Sequence, residues 1–250
     1  MDWSFQLYSA RNFQPWPSVF DTLARLGYTQ VEGYGDLYPD AAATRAELDR
    51  AGLTMPSGHF ALDLLENDFP AARRIAGTLG MRMIACPYLE AADRPADAAG
   101  WRDFGHRLGR IGKAAEDSGL GFAWHNHEFE FEALADGSAP LIHILDAAPV
   151  IGWEIDVAWV IRGGDNPFEW IDRYGDRIVA VHVKDIAPQG EAPDEDGWAD
   201  VGHGTVDWTG LIAALRNKTP AKIFVIEHDN PADLERFARR SIETARIFGD

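Results

Sequence analysis

The chain has 250 residues, 46% of them hydrophobic, which is enough to bury a large core and fits the length of a single eight-stranded α/β barrel. Its 23 basic and 40 acidic side chains leave a formal charge of −17, which argues against nucleic acid, whose phosphates are held largely by Lys and Arg. The lone Cys86 allows no intrachain disulfide, no apolar stretch approaches the roughly 20 residues that span a bilayer, and Met1-Asp-Trp-Ser begins no export segment, so a cytoplasmic protein without a membrane partner is expected.

Short β-branched or apolar runs alternate with longer stretches of helical period, the pattern of βαβ units and a parallel sheet. Strand one is expected near Trp3 to Tyr8, then a helix near Pro17 to Leu26, where Val19, Leu23 and Leu26 recur at helical spacing before Gly27. Strand two (Gln30 to Gly33) leads to a helix near Ala42 to Ala51, closed by Gly52, and strand three covers Leu53 to Ser57. A helix near Phe69 to Leu79 stops at Gly80, strand four runs from Arg82 to Cys86, and a long helix from about Ala99 to Ser118 stops at Gly119. After strand five come a helix near Leu141 to Ala147, strand six at Val150 to Asp156, a helix near Pro167 to Tyr174 and strand seven at Ile178 to Lys184. The acidic stretch Gln189 to Asp200 reads as an irregular loop at the end of strand seven, where barrel enzymes keep functional loops. A helix near Trp208 to Arg216, strand eight at Lys222 to Glu227 and a closing helix from Pro231 to Phe248 complete about eight units. No linker divides them, so residues 1–250 are expected to form one (β/α)8 TIM-barrel domain.

Four of these strands end in groups that bind metals: Phe122-Ala-Trp-His125-Asn-His127, Gly152-Trp-Glu154-Ile-Asp156, Val179-Ala-Val-His182-Val-Lys184 and Ile223-Phe-Val-Ile-Glu227-His228. In a parallel barrel the C-terminal strand ends open onto one face, so these residues can meet. Side chains two apart share a face of a strand. That alternation groups Ala123, His125 and His127; Gly152, Glu154 and Asp156; Ala180, His182 and Lys184; and Val225 with Glu227, and it turns Trp124, Trp153, Val179, Val181, Val183 and Ile226 outward. Asp156, His182 and Glu227 supply three oxygen and imidazole donors of the kind that hold Mn²⁺, Zn²⁺, Co²⁺ or Mg²⁺. Buried carboxylates with few inward cations favour such an ion, because buried charge is costly unless paired or metal-bound.

The segments Tyr8-Ser-Ala-Arg11, Val31-Glu-Gly-Tyr34, Ser57-Gly-His59, His125-Asn-His-Glu-Phe-Glu130, Glu154-Ile-Asp156, Val181-His-Val-Lys-Asp185 and Val201-Gly-His-Gly204 resemble the sugar phosphate isomerase/epimerase family, part of the xylose-isomerase-like barrel superfamily. That superfamily also holds ketose 3-epimerases, inosose dehydratases and endonuclease IV. The resemblance implies one divalent ion held by Glu, Asp, His and Glu at the ends of strands five to eight. Asp156, His182 and Glu227 match the last three positions, but His125 stands where many relatives have the first glutamate. Glu130 is therefore expected to reach back as the fourth ligand, with His125 or His127 as the substitute. The resemblance also implies proton removal beside a carbonyl, with the ion polarising the substrate oxygens and stabilising an enediolate. His125 and His127 are the candidate bases by residue type, and Lys184 either binds an oxyanion or pairs with Glu154.

Glu32, Tyr34, His59 and Tyr88 at other strand ends are candidate contacts for a sugar, and His203, between Gly202 and Gly204, is the candidate from its loop. His106, His143 and His228 fall on helices or an outward position and are expected to pack. The expected substrate is a small, unphosphorylated carbohydrate, since no P-loop is present and Arg162 and Lys184 are almost the only basic residues near the strand ends. An isomerase or epimerase is expected. The alternatives are a dehydratase using the same ion and base and, from another class, a non-catalytic sugar-binding module or complex subunit. The resemblance further implies a dimer or tetramer.

Overall fold

The computed structural model describes residues 2–249; Met1 and Asp250, the ends of the expected domain, lie outside the described residues. The first half contains β1 (Trp3–Gln6), α1 (Trp16–Leu26), β2 (Gln30–Gly33), α2 (Ala41–Ala51), β3 (Thr54–His59), α3 (Leu62–Asn67), α4 (Phe69–Leu79), β4 (Met83–Cys86) and α5 (Ala98–Asp117). There follow β5 (Gly121–His125), α6 (Pro140–Ala147), β6 (Gly152–Asp156), α7 (Val157–Arg162), α8 (Pro167–Tyr174) and β7 (Ile178–Val183). The chain then forms β8 (Asp185–Ile186), β9 (Trp198–Ala199), α9 (Trp208–Lys218), β10 (Ile223–Ile226) and α10 (Leu234–Gly249).

Eight strands close into a parallel barrel in the order β1, β10, β7, β6, β5, β4, β3, β2, ringed by helices: a single (β/α)8 TIM barrel. Local chemistry marks the joints. Asp40, Asp68, Asp97 and Asp207 each cap a helix by accepting from a backbone N–H. Gly27 (φ 91°) and Gly80 (φ 80°) end α1 and α4 in left-handed backbone that a Cβ would strain.

Alternation sorts most strand residues as expected. Met83, Ala85, Ala123, Ala180, Ile223 and Val225 form an apolar plug inside the barrel. Trp124, Trp153, Val181, Val183 and Ile226 join the larger core between sheet and helices. Val179 is the exception: it packs against the inner plug, where the pairing of β6 and β7 shifts register between Trp153 and Glu154.

The structure also contains elements that the periodicity does not predict. Helices α3 and α7 are six residues each, too short for a helical repeat to show. The expected irregular loop carries β9, which pairs back on β8 just before the loop, Asp185 with Ala199 and Ile186 with Trp198. Strand β3 runs on to His59, carrying that ring to the mouth of the barrel.

Helices α5 and α6 approach closely at Gly105, where an added Cβ would lie 2.8 Å from the Ile144 carbonyl oxygen and 2.9 Å from Ala147 Cβ. Gly105→Ala is expected to lower unfolding stability by about 1–3 kcal/mol through overpacking, outweighing alanine's better helix propensity. The check is a lower urea midpoint at unchanged m-value.

Candidate active site

Lys184, just beyond β7, is buried among three carboxylates: Asp156 Oδ2 at 3.1 Å, Glu227 Oε2 at 3.1 Å and Asp229 Oδ1 at 2.9 Å. The rings of Trp198 and Trp159 lie 4.7 and 5.1 Å from its ammonium. Burial opposes its charge, but the three carboxylates hold its pKa above the usual lysine value. Asp156 ends β6 and caps α7, its Oδ1 accepting from Trp159 N at 3.0 Å. Its Oδ2 is buried and, despite the ion-pair contact with Lys184, accepts no aligned hydrogen bond. Burial pushes the Asp156 carboxyl up to about 6, against the pull of Lys184. Burial pushes Glu227 up as well, but Lys184 and His182 outweigh it and hold Glu227 well below the usual carboxylate range.

His182 on β7 joins this group to a deeper one. Its Nδ1 contacts Glu227 Oε2 at 2.7 Å and its Nε2 contacts Glu32 Oε2 at 2.7 Å. Glu32 also accepts from Gln6 Nε2 at 2.9 Å and Ser57 Oγ at 2.5 Å, so the carboxylate behind His182 is fixed on several sides. Glu154 Oε2 lies 2.7 Å from His59 Nε2 and 3.2 Å from His125 Nδ1. Burial disfavours the charged His59 ring, but Glu32 and Glu154 carry it up to about 9. Burial and then His182 keep His125 well below the usual histidine value, hence neutral. Burial and then Lys184 lower His127 to about 3.

Two sets of four ligand atoms each lie within 4.8 Å of one another: His125, Asp156, His182 and Glu227, and more deeply His59, His125, Glu154 and His182. All of these residues are buried. The donors and the orphaned Asp156 oxygen fit a divalent cation, so the barrel mouth holds a buried His/Glu cluster able to bind a metal. Above it opens a cavity of about 860 Å³, reached by His59, His125, His127, Lys184, Glu227 and Asp229.

Several expected site residues stand elsewhere. Glu130 does not reach back to the cluster: its two oxygens accept from Trp124 Nε1 and from His127 N, both at 2.9 Å, on the helix side of β5. Glu32 is fully buried beneath the cavity, where it braces His182 and faces no substrate. His203 is exposed in its turn and does not line the cavity; the flanking Gly202 and Gly204 N–H groups instead donate to Asp185 at 2.8 and 3.2 Å. Lys184 pairs with Asp156, Glu227 and Asp229 and not with Glu154. His59, Tyr34 and Tyr88 do line the cavity, with the Tyr88 ring edge-on to His127 at 5.0 Å. His228 packs against Phe237 and accepts from Asn230 N.

Sequence reasoning left out Asp229 and gave no site role to Glu154, Asn126 or Trp159. Glu154 had a signal, lying two residues before Asp156 and so on its face; Asp229 lies beyond β10, where strand alternation no longer applies. Asn126 locks β5 to β6, its Oδ1 accepting from Trp153 Nε1 at 2.8 Å and Asp156 N at 3.0 Å.

The placement of Glu130 has a measurable consequence. Glu130→Gln puts an amide N–H against one of two buried donors, and an unmet buried group costs about 1–3 kcal/mol. Lower thermal stability with unchanged metal content is therefore expected, checked by melting and elemental analysis.

The strand ends thus gather histidines and carboxylates into one buried centre under an open cavity, in an α/β barrel with a cluster able to hold a metal ion. The sequence matches the xylose isomerase-like TIM barrel family over residues 20–247, and the chain belongs to that family. Among curated proteins it is 28% identical over 86 residues to an inosose dehydratase of Clostridium beijerinckii (strain ATCC 51743 / NCIMB 8052), covering 34% of this chain and 28% of that one. An inosose dehydratase of Bacillus thuringiensis (strain Al Hakam) is 23% identical over 139 residues, 51% of this chain and 46% of that one. The chain thus matches less than half the length of these relatives. Among solved structures, a sugar phosphate isomerase/epimerase from Parabacteroides distasonis ATCC 8503 superposes with a TM-score of 0.81 at 19% identity, covering 96% of this chain and 91% of that one. The IolI protein, solved with a bound zinc atom, gives 0.76 at 16% identity over 100% of this chain and 96% of that one. These two likenesses are of fold.

Proposed function

We propose that this chain is a divalent-metal-dependent isomerase or epimerase that removes a proton beside the carbonyl of a small, unphosphorylated sugar or keto-sugar. The observation carrying this reading is the convergence of Asp156, His182, Glu227 and His125 within 4.8 Å beneath the cavity. Asp156, His182 and Glu227 would hold the ion, leaving positions open for substrate oxygens. When bound, the ion supplies Lewis-acid polarisation of those oxygens. The imidazoles at the end of β5 handle the proton, and the Lys184 ammonium stabilises negative charge arising on the substrate. Asp63, Glu90 and Asp93 on the cavity wall, where Arg107 is already paired with Glu66 and Arg11 is the other arginine of the lining, disfavour a phosphorylated substrate. The bound zinc of the IolI protein supports an ion of this kind.

A second reading is loss of water after the same proton removal. It is favoured by the curated inosose dehydratase relatives and by a cavity that offers neutral imidazoles as the base and the Lys184 ammonium as a hydrogen-bond donor to the departing hydroxyl. Incubation with a panel of keto-sugars in D₂O with Mn²⁺, Co²⁺ or Zn²⁺ separates the two. Deuterium beside the carbonyl without loss of water is the expected result; an unsaturated product would establish the elimination instead. Absence of both, together with no thermal stabilisation by any of these ions, would overturn the enzyme reading.

A further inference from the structure

Of the two imidazoles that end β5, their surroundings single out one. His125 Nδ1 faces Glu154 Oε2 at 3.2 Å, and Glu154 is fully buried. A carboxylate beside one ring nitrogen draws the proton there and leaves the other with its lone pair. His125 lines the cavity and its Nε2 has no hydrogen-bond partner among the described residues, so that lone pair is available to a ligand. His127 is arranged the other way. Its ring faces the Glu130 N–H in a capping-box arrangement without making a hydrogen bond, and Nδ1 is buried without a partner. A ring nitrogen facing an N–H keeps its lone pair, and the proton of His127 then sits on Nε2. The two rings therefore present opposite faces: an acceptor at His125 and a donor at His127.

Glu154 is itself held for this task. His59 Nε2, 2.7 Å away, contacts the same oxygen that faces His125, while Glu154 Oε1 is buried without a partner. His182 Nε2 lies 3.5 Å from that oxygen and is engaged by Glu32 at 2.7 Å. No lysine or arginine pairs with Glu154 among the described residues; its polar contacts are imidazoles. The His59 ring beside it, carried up to about 9, balances the charge of Glu154, whose Oε2 is placed to orient the adjacent His125 ring.

We infer that Glu154 is a positioning residue that fixes the tautomer of His125, making His125 Nε2 the base and His127 Nε2–H the hydrogen-bond donor to the substrate oxygen. This rests on the proton-removal reading above. In the step itself His125 Nε2 takes the C–H proton beside the carbonyl, the C–H electron pair moves into the carbon–carbon bond and the carbonyl π pair onto oxygen. The proton returns from Nε2 to the former carbonyl carbon while the hydroxyl proton of the neighbouring carbon passes to the enediolate oxygen, which completes an isomerisation with one base.

The test uses histidine ¹⁵N NMR on the metal-free protein and kinetics on the metal-loaded one. In the unsubstituted protein His125 is expected to carry its proton on Nδ1, and a proton found on Nε2 would overturn the inference without any variant. Glu154→Gln can turn an amide N–H toward Nδ1, so the His125 proton should move to Nε2 and kcat should fall about 10²- to 10⁴-fold with KM unchanged. An unaltered His125 tautomer in this variant, or an unaltered kcat, would also overturn it. These outcomes are separate from those of the reaction itself, because a protein that exchanges no substrate proton still reports the His125 tautomer.

Discussion

Glu227→Gln and Asp156→Asn should each lower kcat by about 10³-fold or more, equivalent to about 4 kcal/mol of lost transition-state stabilisation, and should purify with less than one equivalent of divalent ion. Glu227 Oε2 lies 2.7 Å from His182 Nδ1 and 3.1 Å from Lys184, so an amide there loses the charge that both neighbours and an ion require. Asp156 offers a bare buried oxygen to the cluster, and its other oxygen caps α7. Asparagine caps helices as well as aspartate does, so Asp156→Asn should leave α7 in place and remove only the charge. The paired measurement is elemental analysis with circular dichroism. A folded variant that keeps both its ion and its turnover would take that residue out of the ligand set.

Asp156 and its neighbours on β7 show how much of the site is legible in the sequence. Strand alternation places Asp156, His182 and Lys184 inward, because a β-strand has a fixed period and a parallel barrel gives it one interior. The argument loses its footing where the strands end. Glu130 lies in a turn beyond β5, where nothing in the local spacing says whether a carboxylate folds back to the cluster or outward to Trp124 Nε1. Asp229 escaped notice for the same reason, although it makes the shortest of the Lys184 ion pairs at 2.9 Å. Glu32 shows a different difficulty. Its strand and direction were legible, but its depth was not, and depth turns a sugar contact into a brace for His182. His203 was singled out by its glycines, whose N–H groups serve Asp185 in holding the turn.

The histidine pair offers the sharper comparison, because His125 and His127 are two residues apart and differ in the proton each presents to the cavity. His125→Gln is expected to reduce kcat by about 10²- to 10⁴-fold, the usual contribution of a positioned general base, and to abolish deuterium wash-in at the carbon beside the carbonyl. Glutamine at His127 keeps an N–H in roughly the Nε2 position, so His127→Gln should cost only about one hydrogen bond, on the order of tenfold in kcat. The backbone should tolerate the second change, because the link from His127 N to Glu130 at 2.9 Å uses no side-chain atom of His127. Tyr88, with its ring edge 5.0 Å from that of His127, keeps its place on the cavity wall in both variants. Metal content decides how a loss at His125 is read. That ring belongs to the set of four ligand atoms within 4.8 Å, so a His125→Gln protein that also loses its ion would make His125 the fourth ligand in place of Glu130. If instead the ion is retained, wash-in is lost only in His125→Gln and His127→Gln still exchanges, then the proton moves through His125 and the oxygen is held by His127.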